Sequence, residues 1–514
     1  MPSVDSVQLN GALNGHSLEE PDKPFPGPSR TRPSLLPKLA LKPWLPTAAV
    51  GLLLQNARVV DPASGALLDG LHTVVITKGK VTHVYPVDEP DLLAEEAHLN
   101  KVDLAGRYLC PGLIDGHVHV TAVPGVKTIG ELVATPEEQV HYRTTWVLKE
   151  MLARGFTTVR DTGGASKPLA NAIDEGLLAG PRLFQCGKAI SQTGGHGDFM
   201  PGKSGGEPGC CGGHSASLGR TADGVPQVLK AVREELKAGA ECVSCSPIAL
   251  ERPVILTTAP TCSFIKVMVG GGVASATDAI ETVQYSAEEI RAITDTCRQM
   301  GRKHSTAHAY TVEAIRHAVE NGVKGIEHGN LIDKETAEYM AERGIFLTPT
   351  LSCYGIMVRP PFEDFLPPDG QVKNKEVMKD GLQALKLAEE AGVTVCYGSD
   401  LLTSMHALQT EEFTVRAEIL SSPAILRHAT INCAKMLGKE GLLGEIKPGA
   451  YADLLVLDAN PLEDITVLDR PEHHLLAVIK EGRVAVSSLP ELKTAEDEEK
   501  EESRLRLKKR ARFA

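Results

Sequence analysis

His117 and His119 stand two apart, with Val118 between them, at the end of an apolar run that opens Leu109-Cys110-Pro111-Gly112-Leu113-Ile114. In an extended strand alternate side chains share a face, so both imidazoles point the same way. Two imidazoles side by side make half of a metal site, although such pairs also occur on wet strand faces. Further groups of the right type lie along the chain. Lys266 sits between Ile265 and Val267, in a run where a cation is costly to bury without a partner. His308 closes Ser305-Thr306-Ala307, His328 closes Gly325-Ile326-Glu327, and Asp400 follows Tyr397-Gly398-Ser399. Singly each has a plain explanation, a core histidine for His328 and a turn or helix cap for Asp400. They do chemistry together only if one scaffold gathers them.

The patterning supplies such a scaffold. Apolar runs of strand length fall at 112–120, 157–161, 182–186, 264–268, 303–308, 325–328, 345–350 and 394–400. Amphipathic helical stretches lie between most of them, for instance at 138–153, 225–237, 287–300 and 311–320. Eight alternating units predict a closed TIM-like (β/α)8 barrel over 111–440. Shorter strands with turn residues between them occupy 48–110 and return over 441–490. The predicted fold class is therefore α/β, a barrel inserted in a small composite β-sandwich domain. Chemistry in such barrels sits at the C-terminal strand ends, where His117, His119, Lys266, His308, His328 and Asp400 would converge on a single mouth.

Composition narrows the partners. A chain of 514 residues can bury a large core. Net charge is −12, with basic residues dispersed except at the far C-terminus, which argues against nucleic-acid binding. Eleven cysteines in so long a chain do not make a disulfide scaffold, and Cys110, Cys186, Cys396 and Cys433 read as buried thiols. No apolar run reaches the ~18 residues of a membrane span. The start Met1-Pro2-Ser3-Val4-Asp5 lacks a signal-peptide pattern, so a cytoplasmic protein is expected, with secretion not excluded. Residues 1–47 are rich in Pro and Ser and read as a disordered arm; 491–514 read as a charged disordered tail.

The motifs Pro111-Gly112-Leu113-Ile114-Asp115-Gly116-His117-Val118-His119, Ile265-Lys266-Val267-Met268, Thr306-Ala307-His308-Ala309-Tyr310, Gly325-Ile326-Glu327-His328-Gly329-Asn330 and Gly398-Ser399-Asp400 resemble those of the amidohydrolase superfamily. The tail motif Gly449-Ala450-Tyr451-Ala452-Asp453-Leu454-Leu455-Val456 belongs to the same pattern. The chain looks most like the branch with fungal ochratoxinase and the Xaa-Pro and Xaa-Arg/Lys dipeptidases. That resemblance implies two Zn2+ ions per chain, one held by His117, His119 and Asp400, the other by His308 and His328. It also implies a CO2-derived carbamate on Lys266 bridging both ions. Metal-bound hydroxide would attack the amide of an N-acyl amino acid, dipeptide or ochratoxin-like substrate, with Asp400 moving the proton. The partner expected is a small-molecule amide, with homo-oligomers common in the family.

His196 lies in the Gly-rich stretch after the third strand, and Tyr310 and Asn330 follow ligand strands, so these three are candidate substrate contacts. Gly270-Gly271-Gly272 would let backbone approach a ligand closely. Two other functions stay open, a cyclic-amide hydrolase of the imidazolonepropionase type and an inactive scaffold of the same fold. Filled ligand positions favour an enzyme, and Lys266 argues against the ring-opening type. One stretch departs from the pattern. About twenty residues, 241–262, intervene where a short helix-to-strand connection is expected. They carry Cys242 and Cys245, one Cys-x-x-Cys without a clear second pair, and a true insertion and a gene-model error are equal readings.

Overall fold

Leu52–Asp61 (β1) buries Leu52, Leu53 and Leu54, then bulges at Asn56, whose backbone is left-handed at φ 56°. The bulge lets one strand serve successive partners. Val60 and Asp61 pair with Ala66–Leu67 (β2), and Leu52 to Leu54 pair antiparallel with His72–Thr77 (β3). Lys80–Pro86 (β4) pairs with β3. Asn100–Asp103 (β5) runs parallel to the start of β1, and Tyr108–Pro111 (β6) runs parallel to its later part. These coordinates are a computed structural model that describes residues 44, 51–89, 99–198, 218–239, 264–275, 278–301, 304–494 and 497. The expectations for 1–43, for 241–262 with Cys242 and Cys245, and for most of the tail beyond 494 lie outside the described residues.

Barrel strands follow at once. Leu113–Val118 (β7), Phe156–Asp161 (β8) and Arg182–Gln185 (β9) form one parallel ladder. Ala189–Ser191 (β10) continues the third predicted strand after a break at Gly187, whose φ of 72° suits glycine. A second ladder joins Gly219–Thr221 (β11), β10, Ile265–Met268 (β12), Ser305–Thr311 (β13), Gly325–Leu331 (β14), Phe346–Thr348 (β15) and Thr394–Val395 (β16) in that spatial order. The eighth strand is much shorter than its apolar run suggests. Its continuation reaches the first strand through single bonds, Gly116 N–H to the Tyr397 carbonyl (2.8 Å) and Asp400 N–H to the His117 carbonyl (2.9 Å). The result is a distorted (β/α) barrel.

Helices Glu137–Ala153, Gly224–Ala238, Ala287–Gln299 and Val312–Glu320 match their predicted spans within a residue at either end. Apolar residues of the second ladder, among them Val267, Ala307, Ile326 and Leu347, pack under Val232, Ile290 and Ile315 of those helices. None of the described helices is long and apolar enough to cross a membrane.

After the barrel, Leu454–Leu457 (β17), Leu475–Lys480 (β18) and Arg483–Ser487 (β19) complete the accessory sheet. β17 pairs antiparallel with β6, and β18 and β19 follow outward, so a nine-stranded sheet draws strands from both ends of the chain. Leu54, Val59, Ile76, Leu454, Val456 and Ile479 share one apolar core.

Arg182, the first residue of β9, ties barrel to sheet. Its guanidinium pairs with Asp453 (2.6 Å) and Glu481 (2.5 Å) and lies over the Tyr451 ring at 4.4 Å. Asp453 is buried, so removing the cation strands a carboxylate in a dry junction. Arg182→Ala is expected to lower stability by about 3–5 kcal/mol in urea titration, and Arg182→Lys by less.

Candidate active site

The first ligand pair is built by β7 and its immediate exit. Every residue of β7 is buried, His117 among them, and His119 follows just past the strand. His117 Nε2 and His119 Nε2 lie 3.4 and 3.3 Å from the same Asp400 oxygen, Oδ1. Asp400 arrives from the opposite end of the barrel order, after β16, in a left-handed backbone conformation (φ 50°). Asp115 makes this meeting possible. Its fully buried carboxyl accepts from Ser399 N (3.2 Å), Ser399 Oγ (2.6 Å), Gln409 Nε2 (2.9 Å) and His117 N (3.1 Å). Burial pushes that carboxyl up to about 6 despite those donors.

Each imidazole is oriented from behind. His117 Nδ1–H donates to Glu327 Oε2 (2.8 Å), and His119 Nδ1–H donates to the Gly163 carbonyl (2.9 Å). Glu327 also accepts from Arg160 Nη2 (2.7 Å) and from the Thr306 hydroxyl. Burial alone would raise the Glu327 carboxyl, but Arg160, Lys266 and His117 together hold it well below the usual carboxylate range. Asp161 pins the loop under His119 by accepting from Val120, Gly163 and Ala165 N–H groups. Asp400 is likewise held well below its ordinary value, His117 and His119 outweighing desolvation.

Two imidazole nitrogens and one carboxylate oxygen, mutually within 4.8 Å, fit a divalent first-row cation. The outward bonds of both rings leave each Nε2 as the ligating atom, the arrangement in which a metal-bound histidine is held by its other nitrogen.

The expected pair of zinc ions with a carbamate bridge is not what the structure gives. Among the described residues His117, His119 and Asp400 form the one group of three ligands close enough to hold an ion, and no second group accompanies it. A lysine ammonium has donors only and offers no ligand oxygen, so Lys266 adds nothing to the groups around it. His308 and His328 are then only two donors. Their rings are also engaged, His308 Nε2 with the Gly271 carbonyl (3.0 Å) and His328 Nδ1 with Thr350 Oγ1 (2.8 Å). Burial and neighbouring charges hold both histidines well below the ordinary imidazole value. Lys266 itself is brought down to about 8 by desolvation, against the attraction of Glu327 and Asp400.

His117, His119, Lys266, His308, His328 and Asp400 nevertheless line one cleft of about 700 Å³, counting its open mouth. His196 and Tyr310 line it too. Asn330 does not: it is buried outside the cleft, donating to the Val377 carbonyl (3.4 Å) of helix Pro368–Ala391. His328 and Gly329 both have left-handed backbones (φ 71° and 67°), and this reverses the alternation that would have turned Asn330 inward. The glycine run also serves another purpose than expected. A Cβ on Gly272 would fall 1.9 Å from the His196 ring, so the close approach is to a side chain of the protein.

Sequence reasoning missed Asp115, Arg160, Glu327 and Tyr354. The first three carry charge in strand runs that are otherwise apolar, a signal present in the sequence itself. Tyr354, whose hydroxyl donates to Tyr310 Oη (3.1 Å) and meets His328 Nδ1 at 3.3 Å, sits on a short helix with no such mark.

Residues 108–485 match the model of the amidohydrolase family. The chain is 30% identical over 375 residues to ochratoxinase of Aspergillus niger, a match that covers 71% of this chain and 73% of that protein. A solved prolidase complexed with N-methylphosphonate-L-proline shares 40% identity with a TM-score of 0.75, over 85% of this chain and 99% of that one. A Xaa-Pro dipeptidase with methionine bound in its active site shares 27% identity with a TM-score of 0.70, over 84% and 99%.

Glu327→Gln keeps the shape behind His117 but removes the charge that its imidazole leans on. The variant is expected to hold a divalent cation about 10–100-fold more weakly in chelator competition, and to be less stable in urea titration because buried Arg160 loses its counter-charge.

Proposed function

The chain belongs to the amidohydrolase family and is a metal-dependent hydrolase acting on carbon–nitrogen bonds, and from that premise we propose that its substrate is an N-acyl amino acid, a dipeptide or an ochratoxin-like amide. One observation carries the reading. The ligand group His117, His119 and Asp400 lies in a cleft that Ile129, Leu218, Val273, Met357 and Leu402 make apolar elsewhere. An apolar acyl or side-chain group fits such walls, with its amide carbon over the polar end. The likeness to a prolidase that binds an N-phosphonyl proline and to ochratoxinase supports an amino acid on the amine side.

His117, His119 and Asp400 would hold the ion. A bound divalent cation supplies Lewis-acid polarisation of a carbonyl and acidifies water. Asp400 has one oxygen turned to both imidazoles, and its other oxygen accepts the proton of attacking water and returns it to the departing amine. Lys266, in the same cleft and protonated below about pH 8, offsets negative charge that grows on the carbonyl oxygen. His196 and Tyr310 bind the remaining polar groups of the substrate.

The test is a panel of N-acyl-phenylalanines, Xaa-Pro dipeptides, ochratoxin A and a cyclic amide, run on the metal-loaded protein. Turnover of the open-chain amides is expected. Asp400→Asn is expected to lower kcat by about 10²–10⁴-fold. Turnover of the cyclic amide alone would support the ring-opening reading instead. Silence across the panel with metal bound would overturn the substrate class.

A further inference from the structure

The back of His196 is wired to a buried carboxylate. Its ring stacks on His308 with centroids 4.1 Å apart, and its Nδ1 lies 2.9 Å from Ser275 Oγ. Ser275 Oγ is hydrogen bonded in turn to Asp278 Oδ1. The other Asp278 oxygen, Oδ2, accepts from Gly272 N–H (3.1 Å) and from Gln284 Nε2 (2.8 Å). Gln284 closes the circuit by accepting the His196 backbone N–H with its Oε1 (3.1 Å). Lys373 reaches over from helix Pro368–Ala391 and donates to the carbonyls of Ser275 (2.8 Å) and Asp278 (2.5 Å). His196, Ser275, Asp278 and Gln284 are each at least nine-tenths buried. The missing Cβ of Gly272 leaves room for the ring.

Valence fixes the protons along this wire. An ionised Asp278 has acceptors only, so the single hydrogen of Ser275 goes to Oδ1. The competing acceptor, the Gly272 carbonyl, is neutral and 3.4 Å away. Either choice leaves Ser275 Oγ with lone pairs alone to offer His196, and Nδ1 must carry the proton between them. We propose that Asp278, acting through Ser275, is a positioning residue that fixes His196 as its Nδ1–H tautomer and so selects which substrate group that imidazole can bind. The inference rests on the reading of His196 as a substrate contact.

Asp278→Asn reverses the wire without emptying it. Both partners of Oδ2 are donors, so the amide oxygen stays with them and the amide nitrogen faces Ser275. Ser275 then accepts from the amide and turns its own hydrogen to His196 Nδ1 at 2.9 Å in preference to the Gly272 carbonyl at 3.4 Å, which favours the Nε2–H tautomer. Ser275→Ala cuts the wire and leaves both tautomers available.

The experiment uses the full-length, metal-loaded protein with 15N-labelled histidine. His196→Ala identifies the His196 signals. Tautomers are read by NMR, and kinetics are measured on the fastest substrate of the panel for wild type, His196→Ala, Ser275→Ala and Asp278→Asn. The wild type should show a protonated Nδ1, and Asp278→Asn a protonated Nε2. A lost or mismatched hydrogen bond should raise KM about tenfold or more in Asp278→Asn, and by less in Ser275→Ala, while kcat stays within about threefold. An unprotonated Nδ1 in the wild type overturns the proposal. So does an unchanged KM in Asp278→Asn when His196→Ala raises it. If Asp278→Asn does not fold, an unchanged KM in Ser275→Ala has the same force. An unchanged KM in His196→Ala would instead remove the substrate-contact reading on which the selection depends.

Discussion

Glu327 is the group on which the interior of the barrel depends. It is completely buried on β14, and a bare carboxylate there would be prohibitively costly. Its oxygens accept from Arg160 on β8, His117 on β7 and Thr306 on β13. β7 and β8 belong to one ladder, and β13 and β14 belong to the other. A single carboxylate therefore fastens the two ladders through side chains where no backbone ladder joins them. Arg160 extends the node by donating to the Gly116 carbonyl (2.7 Å) and lying over the Phe264 ring at 4.2 Å. The same charge that neutralises Arg160 orients His117, so structure and ligand geometry rest on one residue.

Around that node, backbone strain appears where the cleft needs side chains turned inward. His328 and Asp400 both adopt left-handed conformations, which cost non-glycine residues about 1–3 kcal/mol each and persist only when their surroundings impose them. Thr350 and Tyr354 hold His328, while Ser399, Asp115 and the His117 carbonyl hold Asp400. The strain places Glu327 and His328, neighbours in sequence, in the same interior.

Much of this was legible in the residues because a barrel limits where polar groups can go. Strand-length runs that end in His, Lys or Asp point to one mouth once eight of them alternate with helices, and all six of those residues do line one cleft. Periodicity also placed the helices closely, since their apolar stripes are packed faces. Other features follow from geometry that one-dimensional patterning does not hold. The break between β9 and β10, the outward turn of Asn330 and the brevity of β16 each depend on local φ values or on closure across the barrel. The number of ions was inferred from likeness and not from donors. Counting donors among the described residues gives one ligand group, because a lysine ammonium adds none to His308 and His328.

We infer that hydrolysis in this cleft depends on an ion held by His117, His119 and Asp400. That dependence is tested most directly by stripping the protein of metal and adding a divalent cation back, in wild type and in His119→Ala, while following hydrolysis of one N-acyl amino acid. Stripping is expected to abolish hydrolysis, the cation to restore it in the wild type, and His119→Ala to stay inactive at the same cation concentration. Hydrolysis that survives stripping, or full restoration in His119→Ala, would contradict that dependence.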